Sequence, residues 1–193
     1  ARLLTGRGCF VDDVVMPEQL YAIAVRSEVA HADLAQVDTA RALAVPGVVA
    51  VYTASDLFEA GVQPLMPVST TNLHTGEPFA FVPMPVLAGD KVNYVGECVA
   101  WVVANSVAIA RAAAEQVQLE YAPRAAVTDA VAALDPGAPC IADEVPGNCC
   151  LDWRYRAGDA VDQRFDGAAH VVKAKFRNHR IIAQPMEMRG ALA

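Results

Sequence analysis

A chain of 193 residues that is 54% hydrophobic can bury about 70% of its unfolded surface, enough for a core without metals or disulfides, and its composition excludes a disordered protein. A net charge of −7 excludes a nucleic-acid surface, which needs a basic field to release phosphate counterions. The five cysteines form no CxxC pair, no charged-then-apolar leader pattern is read, and no apolar run reaches the about 20 residues a bilayer requires, so the expected setting is reduced and cytoplasmic.

Residues 4–13 are glycine-punctuated and expected to be extended. Gly6 and Gly8 form a GxG without a third glycine, a preceding strand or a following helix; a turn is the expected role and a phosphate loop the alternative. Residues 19–26 read as a strand. Residues 33–38 alternate apolar and polar, as a half-buried strand does. Thr39 is then expected to cap a short helix over 40–45, stopped by Pro46-Gly47. The β-branched run 48–52 is a further strand, and Thr53 or Ser55 starts a helical turn around Asp56-Leu57-Phe58. Strand, helix, strand, helix is an α/β rhythm.

Five prolines and three glycines break that rhythm between residues 59 and 89, excluding any long element there. A connection of that length carries function, meets a partner or lacks order. His74 lies within it, where solvation is the ordinary state of a lone histidine. The most informative run follows: Lys91-Val92-Asn93-Tyr94-Val95-Gly96-Glu97 leads into residues 98–104, which are almost continuously apolar. Rich in valine and ending at Asn105-Ser106, this run predicts a strand buried on both faces at the centre of a sheet. Ser106 should cap a helix reaching about residue 116, with Val107, Ala110, Ala114 and Val117 on one stripe. Residues 118–121 return as a strand, ended by Pro123.

The remainder differs in character. A short helix is possible within 125–134, and 135–139 reads as a linker. Cys149 and Cys150 are adjacent in a loop-like stretch, poorly placed to share one tetrahedral zinc. Idle or buried thiols are the ordinary reading, and a thiol enzyme would lack a histidine partner in this context. Residues 172–177 alternate cleanly, with Val172, Ala174 and Phe176 opposite Lys173, Lys175 and Arg177. That predicts a strand with a basic face, either solvated or a docking surface. The chain closes on an apolar run from Ile181, read as part of a larger core.

Taken together, these residues resemble a known family. Thr5-Gly6-Arg7-Gly8 with Phe10-Val11-Asp12-Asp13, then Val25-Arg26-Ser27 with Ala30-His31-Ala32, is similar to the opening of the molybdenum hydroxylase large subunit, the family of xanthine dehydrogenase, aldehyde oxidase and molybdenum carbon monoxide dehydrogenase. Pro46-Gly47-Val48 continues the pattern, as do Lys91, Tyr94-Val95-Gly96-Glu97, Val99-Ala100 and Val102-Val103-Ala104. So do Ala110, Ala113, Glu115, Val117, Glu120-Tyr121 and Pro123, then Asp143-Glu144 with Pro146-Gly147-Asn148, and Pro185-Met186-Glu187 with Arg189-Gly190. Departures are local: Glu28, Cys98 and Met188 stand where the family often has proline, and Cys9 where it often has a base.

The resemblance implies an α/β (α+β) hammerhead domain with a mixed sheet and packed helices over residues 1–123. A connector over 124–163 and the first strands of a truncated molybdopterin-binding domain over 164–193 would follow. It implies the N-terminal, non-catalytic part of an enzyme that hydroxylates an aldehyde, a purine-like heterocycle or carbon monoxide with water as oxygen source. The molybdenum–molybdopterin cofactor would be bound outside these residues, with [2Fe-2S] clusters and FAD on other domains or subunits. The implied partners are the downstream molybdopterin-binding domain, the iron–sulfur and FAD parts and further copies of the assembly, with no nucleic acid and no membrane. No catalytic, cofactor-binding or metal residue is expected within the chain. Glu187 is expected to form a structural ion pair with Arg189. The competing reading is a stand-alone α/β interaction module that uses the Pro-rich loop 59–89.

Overall fold

The computed structural model describes residues 2–193 apart from 68–70, 73–75, 77, 153–158, 180, 186 and 188–189. These residues divide into two units, Glu18–Trp153 and a second made of Ala1–Pro17 with Arg154–Ala193.

The larger unit runs β1 (Tyr21–Arg26), β2 (Ala32–Asp38), α1 (Ala40–Leu43), β3 (Val48–Thr53), α2 (Ala54–Glu59), β4 (Lys91–Val92), β5 (Cys98–Ala104), α3 (Val107–Ala114) and β6 (Gln118–Pro123). The α/β class expected from the sequence is the one observed. In detail, a single mixed sheet is replaced by two three-stranded sheets, β1-β5-β3 and β4-β2-β6, in which every pairing is antiparallel. The reason lies in strand order. β1 and β3 point the same way, and β5 arrives later in the chain and inserts between them, antiparallel to both. β4 and β6 flank β2 in the same manner.

β5 is the inner strand the valine-rich run predicted. Ala100, Val102 and Ala104 are fully buried on one face; Ala100 and Val102 join Val25, Ala42 and Ala113 in a core closed by Val45, Val48 and Val51. On the opposite face Val99 is fully buried too, with Ala32, Ala88 and Val92, beneath Leu34 and Tyr121. Trp101 and Val103 are half-buried. The two apolar clusters thus meet through one strand, and small residues on α3 (Ala110, Ala113) let the helix approach it closely.

Local signals explain most element ends. The Ser106 hydroxyl accepts the Ile109 amide at 3.2 Å, starting α3. Thr53 and Asp56 form a reciprocal cap on α2. Gly47 stops α1 with φ +91°, a conformation that favours glycine, and an added Cβ would fall 2.8 Å from the Ile109 Cδ1 methyl, which would have to move aside. The Thr39 side chain makes no cap; instead Asp38 Oδ1 accepts the Ala40 amide at 2.9 Å. α1 ends at Leu43, short of Val45.

Between residues 59 and 89 the described residues form no helix or strand beyond an isolated bridge, Leu65 to Met84, and a second at Thr71 to Pro78. After β6, 3₁₀ turns at Ala132–Leu134 and Pro146–Asn148 are tied together by Asn148, whose amide group donates to the Ala133 and Pro139 carbonyls and whose oxygen accepts the Ile141 amide.

In the smaller unit, Asp159–Asp166 forms a helix, α4, that sequence reading did not anticipate. Residues 171–179 are not a strand, a correction to the alternation argument. Val172 and Phe176 are 91% and 90% exposed. A strand is stabilised by its ladder and one buried face, and this segment joins neither of the two sheets.

Candidate functional site

Three buried polar side chains stand out in the larger unit: Ser27, His31 and Glu97. The Glu97 side chain and the Ser27 backbone hold the turn that feeds β5. The Glu97 carboxylate, 6% exposed, accepts the Asn93 amide at 2.6 Å. The Ser27 amide donates to the Glu97 carbonyl at 2.8 Å, and the Gly96 amide to the Ser27 carbonyl at 2.7 Å. The Arg26 guanidinium donates to the Gly96 carbonyl at 2.8 Å. Gly96 occupies the left-handed region at φ +90°. The result is a turn fixed from both ends, carrying Tyr94 and Val95 into solvent. Partial burial, then the Glu97 charge, push the Tyr94 phenol above its usual value. These residues include the Tyr94-Val95-Gly96-Glu97 motif, but the clamp on Ser27 is a long-range contact that spacing does not reveal.

His31 and its neighbours fasten the segment after β6. The His31 Nδ1–H donates to the Ala125 carbonyl at 2.8 Å, a carbonyl being able only to accept. The Arg124 amide donates to the His31 carbonyl at 2.9 Å. Arg124 also grips Asp33 bidentately, Nη2 to Oδ1 at 2.7 Å and Nε to Oδ2 at 2.8 Å. Hydrogen bonding to Asp33 raises the guanidinium above its usual value. Lys91 and Asp143 add an ion pair at 3.2 Å. His31 Nε2, Asn93 Oδ1 and Tyr121 Oη are buried without a protein partner. Chemically these groups position backbone; none forms a nucleophile–base pair with another.

An open apolar groove of about 610 Å³ lies beside them. Its floor is the β2 segment around Leu34 and Val37 with Leu87 and Ala88; its walls are α2 and the two ends of the Pro-rich loop, at Val62 to Pro64 and at Pro85 and Val86.

The residues singled out in the sequence disperse. Gly6 takes φ +68° at the end of a 3₁₀ turn, Leu3–Thr5, so the GxG is a turn. Cys149 and Cys150 are exposed, not buried, free thiols. Lys173, Lys175 and Arg177 are exposed. Glu187 accepts the Val11 amide at 3.2 Å within the smaller unit, and its expected partner Arg189, like His74, lies outside the described residues. Among the described residues no three His, Cys, Asp or Glu side chains gather as metal ligands.

Residues 5–125 match the aldehyde oxidase and xanthine dehydrogenase a/b hammerhead domain. The chain belongs to that family. As a hammerhead domain it has relatives whose similarity extends beyond the matched residues. It is 40% identical to the nicotine 6-hydroxylase large subunit of Paenarthrobacter nicotinovorans over 100% of its length, covering 23% of that protein. It is 34% identical to the carbon monoxide dehydrogenase large chain of Afipia carboxidovorans, over 96% of this chain and 23% of that one. Among solved structures, quinoline 2-oxidoreductase from Pseudomonas putida superposes with a TM-score of 0.76 at 38% identity, over 91% of this chain and 21% of that one. A Cu,Mo carbon monoxide dehydrogenase superposes with a TM-score of 0.70 at 30% identity, over 88% and 21%. The hammerhead chain therefore spans about a quarter of the length of the curated relatives it matches.

Proposed function

We propose that the protein carrying this chain is the large subunit of a molybdenum-dependent hydroxylase acting on an aldehyde, a nitrogen heterocycle or carbon monoxide, with water as the oxygen source. The similarity to a hydroxylase large subunit along the whole chain supports this reading best. In it, residues 1–123 are the hammerhead domain, 124–163 a connector and 164–193 the opening of the molybdopterin-binding domain. In this reading the cofactor is held by other regions; the groove described above is lined chiefly by apolar groups, unsuited to a charged pterin phosphate. The role of this chain is to hold shape for the catalytic regions.

Iron–sulfur and FAD parts belong to partner domains or subunits in this proposal. Several relatives are named as parts of larger assemblies, one as subunit gamma of a 6-hydroxypseudooxynicotine dehydrogenase complex, which supports a multi-subunit enzyme. The proposed setting is the cytoplasm; no described helix is long and apolar enough to cross a membrane. The test is anaerobic reduction of an artificial electron acceptor by the full-length complex, with an aldehyde, an aromatic nitrogen heterocycle and carbon monoxide supplied in turn. Turnover with one class is expected; no turnover with any of them by a correctly assembled complex contradicts the proposal.

A further inference from the structure

We propose that Cys140 and Cys149 are a thiol modification site, a pair that closes to a disulfide on meeting a low-molecular-weight disulfide such as glutathione disulfide. All five cysteines of the chain are free thiols, and Cys140, Cys149 and Cys150 are exposed within one short stretch after β6. That stretch is a loop closed on itself. The Val145 amide donates to the Ala142 carbonyl at 3.0 Å and the Asn148 amide to the Val145 carbonyl at 3.0 Å. At the neck, the Asn148 side chain bonds the backbone on both sides of Cys140. Its nitrogen donates to the Pro139 carbonyl at 2.9 Å and its oxygen accepts the Ile141 amide at 3.0 Å.

Cys149 is the next residue after Asn148, so the chain leaves the loop beside the point where Cys140 enters it. A second contact agrees. The Cys140 thiol lies 3.6 Å from the Val145 carbonyl, the same oxygen that accepts the Asn148 amide, and it donates to the Ala142 carbonyl at 3.1 Å. The competing pair, Cys149 with Cys150, is sterically poor. Consecutive Cα atoms stand about 3.8 Å apart across a trans peptide, less than the about 4.4–6.8 Å that a disulfide ordinarily spans. Cys150 is also one residue further from the Asn148 clamp, which leaves Cys140 and Cys149 as the pair.

Exchange needs access to the attacking sulfur, and Cys149 is exposed. Its thiolate attacks one sulfur of glutathione disulfide, forming a mixed disulfide and releasing one glutathione. Cys140 gives up the proton it directs at the Ala142 carbonyl and attacks the Cys149 sulfur; the bond to the second glutathione breaks. Two protein thiols lose two electrons, the small disulfide gains them, and the two protons end on the released glutathiones. An accessible cysteine beside a resolving thiol is the arrangement of reversible thiol sensors, and such bridges are transient in a reducing compartment. The bridge holds covalently the neck that Asn148 holds by hydrogen bonds, on the loop whose Asp143 pairs with Lys91 of β4.

The experiment exposes the full-length protein to glutathione buffers stepped from reduced to oxidised, blocks the remaining thiols with N-ethylmaleimide and maps the peptides by mass spectrometry. Trypsin with a glutamate-specific protease cuts at Glu144 and so separates Cys140 from Cys149 and Cys150. The expected result is one disulfide joining the two peptides, reversed by dithiothreitol, retained in Cys150→Ser and lost in Cys149→Ser. Bridging should also slow in Asn148→Ala, followed by quenching at timed intervals. A bridge between Cys149 and Cys150 overturns the proposal, as does a link from either cysteine to one elsewhere in the protein. A stable glutathione adduct in place of the bridge, thiols unchanged in the oxidised buffer, a bridge that survives Cys149→Ser, or an undiminished rate in Asn148→Ala does so equally.

Discussion

Replacing Val102 by alanine tests whether β5 is an inner strand. Val102 is 0% exposed and packs in the cluster of Val25, Ala42, Ala100 and Ala113. Val102→Ala removes two buried methyl-sized groups, worth about 1.6 kcal/mol at about 0.8 kcal/mol each. The cavity left, roughly 40 Å³ if neighbours stay in place, adds about 1 kcal/mol. The expected loss is therefore about 2.5 kcal/mol, or a fall of roughly 1.2 M in urea midpoint at a slope of about 2 kcal/mol/M. The neighbouring Val103 is half-buried on the other face, and Val103→Ala should cost less than about half as much. Urea titration followed by intrinsic fluorescence suits the measurement, because Trp101 lies in the same strand, paired with Ala24 and Tyr52. Equal losses at positions 102 and 103, or a loss at 102 below about 1 kcal/mol, would refute the burial argument.

Three further outcomes follow from the polar contacts. Glu97→Ala orphans the Asn93 amide and should cost about 1–3 kcal/mol; it should also lower the Tyr94 phenol pKa, read by ultraviolet titration, because the raising charge is gone while partial burial remains. Asp56 is held below its usual carboxylate value, first by the Thr53 hydroxyl and then by the Thr53 amide, so the cap stabilises fully above the unfolded carboxylate pKa and is lost as pH falls through the folded one. Asp56→Ala should accordingly be about 1 kcal/mol less stable near neutrality and converge with the parent in acid, checked by urea midpoints across pH. The Asp33–Arg124 pair is about half exposed on both sides; a double-mutant cycle should give weak coupling, and raising the salt concentration should shrink it further.

Much of the fold was legible because its signals are local. Ser106 starts α3, Thr53 starts α2, Pro46-Gly47 stops α1, and the valine run of β5 announces burial on two faces. What escaped depends on partners distant in sequence. Sheet membership could not be read from the β2–α1–β3 rhythm, because β3 joins a different sheet from β2, on β5, which comes some fifty residues later. Alternation over 172–177 satisfied the strand pattern but carried no information about a ladder. Asp38 outcompeted Thr39 for the helix start because its carboxylate reaches the Ala40 amide from one residue earlier.

The candidate site was legible as a motif and opaque as geometry. Tyr94, Gly96 and Glu97 were visible together in the sequence. That Glu97 spends its carboxylate on the Asn93 amide, and that Ser27 closes the turn from seventy residues away, required coordinates. The groove could not be seen at all, since Leu34, Phe58, Val62 and Val86 come from four separate segments.

The most direct test of the account is the metal content of the purified full-length complex, determined by mass spectrometry of the elements alongside quantitative protein analysis. Molybdenum equimolar with the large subunit is the predicted result. An intact, folded complex that contains none, after growth with ample molybdate, would contradict the account.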